Sequence, residues 1–109
     1  MVEWIKIFGS TIDAENILPE NQPKLLKLRG RSICLIRQQG KIYGVQNNCT
    51  HNEGSLHLGS INQLGDLVCP LHQHTFHLDT GREVDQRSAN LECFAIREGA
   101  DGVFIGILN

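Results

Sequence analysis

Two short motifs constrain this chain more than any other feature of its sequence. Residues 49–51 are Cys-Thr-His and residues 69–72 are Cys-Pro-Leu-His, with residues 52–68 between them. Each motif offers one sulfur ligand and one nitrogen ligand. Zinc sites and iron–sulfur centres both use these ligand types. The pattern predicts a metal centre with four ligands: Cys49, His51, Cys69 and His72.

The mixed composition of each motif favours a 2Fe–2S cluster over zinc. A 2Fe–2S centre in which two His replace two Cys on one iron matches this ligand set. Structural zinc sites usually bring like ligands together, as C-x2–4-C and H-x3–5-H. Zinc nevertheless stays open as the main chemical alternative, and it would make the chain a zinc-stabilised interaction module. A mononuclear iron site needs two His and a carboxylate with open positions, and no spacing here fixes such a set.

Size and charge narrow the classes of function. A chain of 109 residues has room for one domain, residues 1–109, with a modest core. The formal net charge of −2 and the lack of a basic stripe argue against a nucleic-acid partner. Residues 1–6 lack the apolar stretch of a signal peptide, and no apolar run approaches a membrane span. We therefore expect a cytoplasmic protein without a membrane segment.

Short extended segments separated by turn signals predict an all-β fold. The expected strands are Trp4–Phe8, Lys24–Leu28, Ile33–Arg37, Ile42–Gln46, Leu91–Ile96 and Val103–Leu108. Turns are expected at Arg29-Gly30, at Gln39-Gly40 and over Gly99–Gly102. Ser10 and Asp13 form the S-x-x-D start of a short helix, which Pro19 would end. This order predicts an antiparallel barrel or sandwich.

The segment from residue 47 to residue 81 differs in composition from the rest. It holds both motifs and all five His, and Leu56 and Leu58 are its only sizeable apolar residues before Ile61. A bound metal would therefore contribute much of its order. We interpret it as a small cluster-binding subdomain inserted into the β fold.

With these motifs the chain resembles the Rieske iron–sulfur proteins, and among them the small ferredoxins of ring-hydroxylating oxygenase systems. Lys41–Val45 is similar to the family's strand before the first ligand loop, and Phe76–Gly81 is similar to its turn after the second. The resemblance implies the Rieske fold and one 2Fe–2S cluster. It implies that Cys49 and Cys69 hold the inner iron, and that His51 and His72 hold the outer iron near the surface.

The resemblance also implies a function. It is that of a monomeric one-electron carrier, without substrate turnover of its own, between a flavin-dependent reductase and a terminal oxygenase. The small subunit of an assimilatory nitrite reductase shares the fold and the second motif, and it is the alternative. Many members of that family lack the cluster ligands, so four retained ligands favour the carrier.

The other Cys and His residues are expected to have structural roles. Cys34 and Cys93 lie in apolar runs and are predicted to be small buried hydrophobic residues. His57, His74 and His77 are interpreted as surface or structural histidines; His57 lies in the loop after the first ligand pair, and His77 lies past the second.

Overall fold

The computed structural model of the chain describes residues 1–50, 54–71 and 73–108. The strands of these ranges are β1 Val2–Phe8, β2 Lys24–Leu28, β3 Arg31–Gln38, β4 Lys41–Gln46, β5 Ser60–Ile61, β6 Leu67–Val68, β7 Thr75–Phe76, β8 Cys93–Phe94, β9 Ile96–Gly99 and β10 Gly102–Leu108. The helix α1 spans Thr11–Ile17, and a 3-10 turn spans Leu56–Leu58. In these ranges, no helix has the length and apolar character needed to cross a membrane.

The strands form three antiparallel sheets. Their orders are β1-β10-β9, β2-β3-β4-β8 and β5-β6-β7. The predicted all-β class is therefore confirmed. The described strands do not close into a barrel, so the sandwich-like form of the prediction is the nearer one. The third sheet lies between β4 and β8 along the chain, inside the segment that the sequence singles out.

Two tight hairpins build the second sheet. Arg29 and Gly30 connect β2 to β3, and Gln39 and Gly40 connect β3 to β4, all four with positive φ. Two consecutive residues with positive φ form the type I′ turn, whose twist matches that of the flanking strands. Both predicted turns are confirmed, and they fix the register of β3 between its neighbours.

The helix forms where its start signal predicts. The Asp13 N–H donates to Ser10 Oγ at 3.1 Å, so the serine caps one of the open N–H groups of the first turn. The helix ends at Ile17, two residues before Pro19, because proline cannot continue the hydrogen-bond ladder. Ala14 and Leu18 are fully buried and attach the helix to the core.

The central strand β3 separates two clusters of buried side chains. Ile33 and Leu35 belong to the cluster that contains the inward residues of β10 and the helix. Cys34 and Ile36 belong to the other cluster, which contains the cysteines of both motifs. Successive side chains of a strand point to opposite faces, so a single strand connects the structural core with the core around the candidate site.

Gly59 permits a close backbone approach beside the second motif. A Cβ at this position would collide with the carbonyl oxygen of Val68, the residue before Cys69. The chain leaving the 3-10 turn can therefore pass directly against β6. Any larger residue would push the two segments apart.

The prediction for the two remaining cysteines is half right. Cys34 is fully buried, as expected, but Cys93 is exposed. The apolar run around Cys93 suggested a buried strand. However, β8 has only two residues and is the edge strand of its sheet. Phe94 is buried, and its neighbour Cys93 is left at the surface.

These environments predict different thiol reactivity. Burial raises the pKa of Cys34 to about 12, so its unreactive neutral thiol should persist below that pH. Burial and the carboxylates of Asp79 and Glu92 also raise the pKa of Cys93, but its thiol is accessible. We expect iodoacetamide to alkylate Cys93 in the folded protein, faster as the pH rises, and Cys34 only after unfolding. Mass spectrometry of the labelled peptides measures this, and equal labelling of both residues would contradict the assigned burial.

Candidate metal centre

Cys49 and Thr50 of the first motif lie in a short hairpin, here called the first hairpin, whose described residues are 47–50 and 54–56. Asn48 pairs with Ser55 in an antiparallel bridge. The Cys49 N–H donates to Gly54 O at 2.9 Å, and the Leu56 N–H donates to Asn47 O at 2.8 Å. Cys49 is therefore held by backbone pairing at the base of the loop.

The second motif is built in the same way. Its residues 69–71 lie in the second hairpin, whose described residues are 67–71 and 73–76 and in which β6 pairs with β7. The ladder continues beyond the strands, because the Cys69 N–H donates to His74 O at 2.8 Å. In both hairpins the cysteine N–H thus donates to the carbonyl oxygen five residues later. The chain uses one local device twice, with a cysteine at the same position each time.

Both cysteines point into the same core. Cys49 is 4% exposed and Cys69 is 0% exposed, and both belong to one contiguous cluster of buried side chains. The other members of the cluster are Cys34, Ile36, Val45, Leu56, Leu67, Phe76, Leu78 and Leu91. A thiolate in such an apolar environment needs a compensating cation, which a bound metal supplies.

The structure brings together half of the predicted ligand set. Cys49 and Cys69 belong to one buried cluster and come from two different hairpins. His51 and His72 lie outside the described residues, so their assignment rests on the motifs. Two buried sulfur ligands on two loops fit a cluster that takes one thiolate from each motif.

Three of the His residues hydrogen-bond within the protein. His57 contacts the buried Asn47 through its backbone N–H, at 2.8 Å from Asn47 Oδ1, and through Nδ1, at 3.0 Å from Asn47 Nδ2. His77 Nδ1 lies 2.9 Å from Asp66 Oδ1. His74 Nδ1 lies 3.4 Å from Ser88 Oγ. These contacts support structural roles for all three.

Sequence analysis missed the polar residues that hold the hairpins. Asn47 clamps the end of the first hairpin to His57, and it carries no motif beyond being an asparagine beside a loop. Thr50 Oγ1 donates to Ala89 O at 2.5 Å, which ties the first motif to a distant segment. Glu83 is fully buried and paired with Arg87. The i,i+4 spacing of this pair was a usable signal, but it is also common on exposed surfaces.

Comparison with known proteins places the chain in a family. The family model for the Rieske [2Fe–2S] domain matches residues 10–95, which include both motifs. The chain belongs to the Rieske [2Fe–2S] domain family, and its cofactor is a Rieske-type 2Fe–2S cluster. The cysteine pair found in the structure is compatible with that cofactor.

The chain is also similar to a characterised ferredoxin. It is 34% identical over 65 residues to the ferredoxin component of the naphthalene 1,2-dioxygenase/salicylate 5-hydroxylase systems of Ralstonia sp. The match covers 60% of this chain and 62% of that protein, which is less than two thirds of its length.

Solved structures share the fold. A protein from Mycobacterium tuberculosis, named as the small subunit of an NADH-dependent nitrite reductase, has a TM-score of 0.83 at 16% identity and covers 100% of this chain and 98% of its own. The ferredoxin in a complex of reduced oxygenase and oxidised ferredoxin of carbazole 1,9a-dioxygenase has a TM-score of 0.77 at 19% identity, covering 93% and 99%. At these identities the likeness shows the fold alone.

Two fully buried cysteines, the proposed ligand Cys69 and the non-ligand Cys34, provide a matched mutational test. Cys69→Ser should abolish the cluster absorbance, because it removes one of the proposed thiolate ligands. Cys34→Ser makes the same substitution at an equally buried position in the same cluster of side chains. We expect it to lower stability by about 1–3 kcal/mol through burial of a hydroxyl, while the absorbance remains. Visible absorbance and iron content are the measurements, and loss of colour in Cys34→Ser alone would reverse the ligand assignment.

Proposed function

We propose that this protein is a Rieske-type ferredoxin that carries single electrons from a flavin-dependent reductase to a terminal ring-hydroxylating oxygenase. The observation that carries the proposal is the burial of Cys49 and Cys69 in one apolar cluster, each with its N–H donating to the carbonyl oxygen five residues later. The Ralstonia sp relative, a ferredoxin component of dioxygenase systems, supports this function over other uses of the fold. No substrate turnover is assigned to the chain itself.

The proposed ligands are Cys49, His51, Cys69 and His72. When bound, a Rieske cluster supplies a one-electron couple. The chain's part is to bury the two sulfur atoms and to expose the described residues beside His72. Pro70, Leu71 and Gln73, which flank His72, are all exposed, and Leu71 is 47% exposed. This surface position supports electron exchange at the tip of the second hairpin with a docked partner.

The same proposal covers the organisation of the protein. Residues 1–109 form one Rieske domain, with residues 47–81 as its cluster-binding subdomain. The protein is monomeric and cytoplasmic.

A second candidate function is the small subunit of an assimilatory nitrite reductase. The observation that favours it is the match over the whole chain with the Mycobacterium tuberculosis structure. The sequence relative from Ralstonia sp, a ferredoxin component of dioxygenase systems, favours the electron carrier instead. The family assignment leaves little support for a zinc-stabilised interaction module.

The cofactor prediction is tested on the protein purified without oxygen. We expect a red-brown protein with about two iron atoms and two acid-labile sulfides per chain. After reduction, its EPR spectrum should show the low average g value of mixed His and Cys ligation. A colourless protein that holds one zinc and no sulfide, even after reconstitution, would refute the proposed function.

The rate of electron transfer to each candidate acceptor distinguishes the two proposed systems. The reduced protein is mixed in a stopped-flow instrument with a ring-hydroxylating terminal oxygenase or with a sirohaem nitrite reductase. We expect rapid reoxidation by the oxygenase and none by the nitrite reductase above the rate with buffer alone. The opposite pattern would assign the chain to the nitrite reductase system.

A further inference from the structure

A buried carboxylate lies behind the second hairpin. Glu83 is 0% exposed, the lowest exposure of any carboxylate among the described residues. Its two oxygens accept from five N–H donors: the backbone N–H groups of Thr75, Asp85 and Arg87, and Nε and Nη2 of Arg87. The distances run from 2.8 Å, for the Arg87 backbone N–H, to 3.3 Å, for the Thr75 N–H and Arg87 Nε.

These contacts hold Glu83 in its charged form. The Arg87 guanidinium, supported by the backbone donors of Arg87 and Thr75, lowers the pKa of Glu83 to about 2 in spite of burial. An ionised buried carboxylate is stable only when it is paired and fully hydrogen-bonded.

The carboxylate connects the second hairpin with the chain that follows. Glu83 pairs with Phe76 in an antiparallel bridge, and its Oε2 accepts from Thr75 of β7. Its Oε1 accepts from the N–H groups of Asp85 and Arg87. One side chain therefore fixes the start of residues 85–90, here called the bridging segment, against β7.

The bridging segment contacts both ligand hairpins. Ser88 Oγ lies 3.4 Å from His74 Nδ1, on the residue that closes the second hairpin. Ala89 O accepts from Thr50 Oγ1 at 2.5 Å, next to Cys49 in the first hairpin. Because the two contacts come from adjacent residues, the bridging segment links the two hairpins, and a shift of the segment would change their relative position.

We propose that Glu83 is a positioning residue for the metal centre: with Arg87 it fixes the bridging segment, which in turn sets the spacing of the two ligand hairpins. This deepens the proposed function and rests on it. Glu83 acts through Ser88, Ala89 and their contacts, and it touches neither proposed cysteine ligand in these contacts.

Positioning and simple electrostatics predict different results. If Glu83 and Arg87 acted only as charges, removing the carboxylate and removing the guanidinium would shift the reduction potential in opposite directions. The double variant Glu83→Gln/Arg87→Ala, which restores the net charge, would then return to the wild-type value. If the pair positions the segment, both single variants loosen the same structure, and the double variant stays altered.

The experiment compares Glu83→Gln, Arg87→Ala and the double variant with the control Asp85→Asn. Asp85 is an exposed carboxylate of the same segment, and it approaches Arg87 only at 3.8 Å. The measurements are the rate of cluster bleaching by an iron chelator, the EPR spectrum of the reduced protein and the midpoint potential. Circular dichroism of each holoprotein checks that the fold is retained.

We expect bleaching to be about tenfold faster in both single variants and in the double variant, because each loses hydrogen bonds between the buried Glu83 carboxylate and the half-exposed Arg87, which releases the bridging segment. The EPR spectrum should change or broaden in all three, and the double variant should not recover the wild-type potential. Asp85→Asn should match the wild type. Unchanged bleaching in the single variants, or potentials that cancel in the double variant with unchanged spectra, would overturn the positioning role.

Two milder variants keep the test decisive if the buried substitutions prevent folding. Thr50→Val and Ser88→Ala each remove one contact of the bridging segment and leave Glu83 intact. Each should accelerate bleaching by several-fold, and wild-type rates in both would overturn the proposal. A wild-type protein without a Rieske spectrum would instead refute the proposed function, whereas a normal wild type with unaffected variants refutes only the role of Glu83.

Discussion

The candidate site depends on one repeated backbone hydrogen bond. The N–H groups of Cys49 and Cys69 donate to the carbonyl groups of Gly54 and His74, five residues later in each case. This bond fixes each cysteine at the paired base of a loop, where the side chain reaches the core. Both cysteine side chains are buried in one cluster, so the arrangement provides two sulfur ligands from two separate loops.

The placement of these hairpins depends in turn on β3. Its alternating side chains, such as Leu35 and Ile36, enter two different clusters. One cluster contains buried apolar residues of α1 and β10 and neither motif cysteine. The other includes both motif cysteines. A strand that is buried on both faces therefore couples the first cluster to the site.

How much the sequence predicts differs between local and tertiary features. The turns at Arg29-Gly30 and Gln39-Gly40 and the cap at Ser10 are predictable, because each is decided by residues in immediate sequence contact. The cofactor class is also predictable, because each motif holds its own Cys and His within a few residues of sequence. Exposure of Cys93 is not predictable from its apolar run, because it depends on β8 being an edge strand. The contacts of Glu83 are not predictable either, because Thr75 and Arg87 reach its carboxylate from opposite directions along the chain.

Asn47 and Glu83 share a physical role that periodicity cannot reveal. Each is a polar side chain buried beside a ligand hairpin, and each accepts backbone N–H groups that the short strands leave without ladder partners. The third sheet has two-residue strands, so backbone pairing alone supplies few hydrogen bonds there. An apolar residue at position 83 would fill the space and leave those donors unsatisfied, at a cost of about 1–3 kcal/mol for each buried group. In this small, loop-rich subdomain, buried polar side chains therefore supply hydrogen-bond acceptors that a longer neighbouring strand would otherwise supply. As a result, the position of the hairpins becomes sensitive to single polar residues far from the motifs.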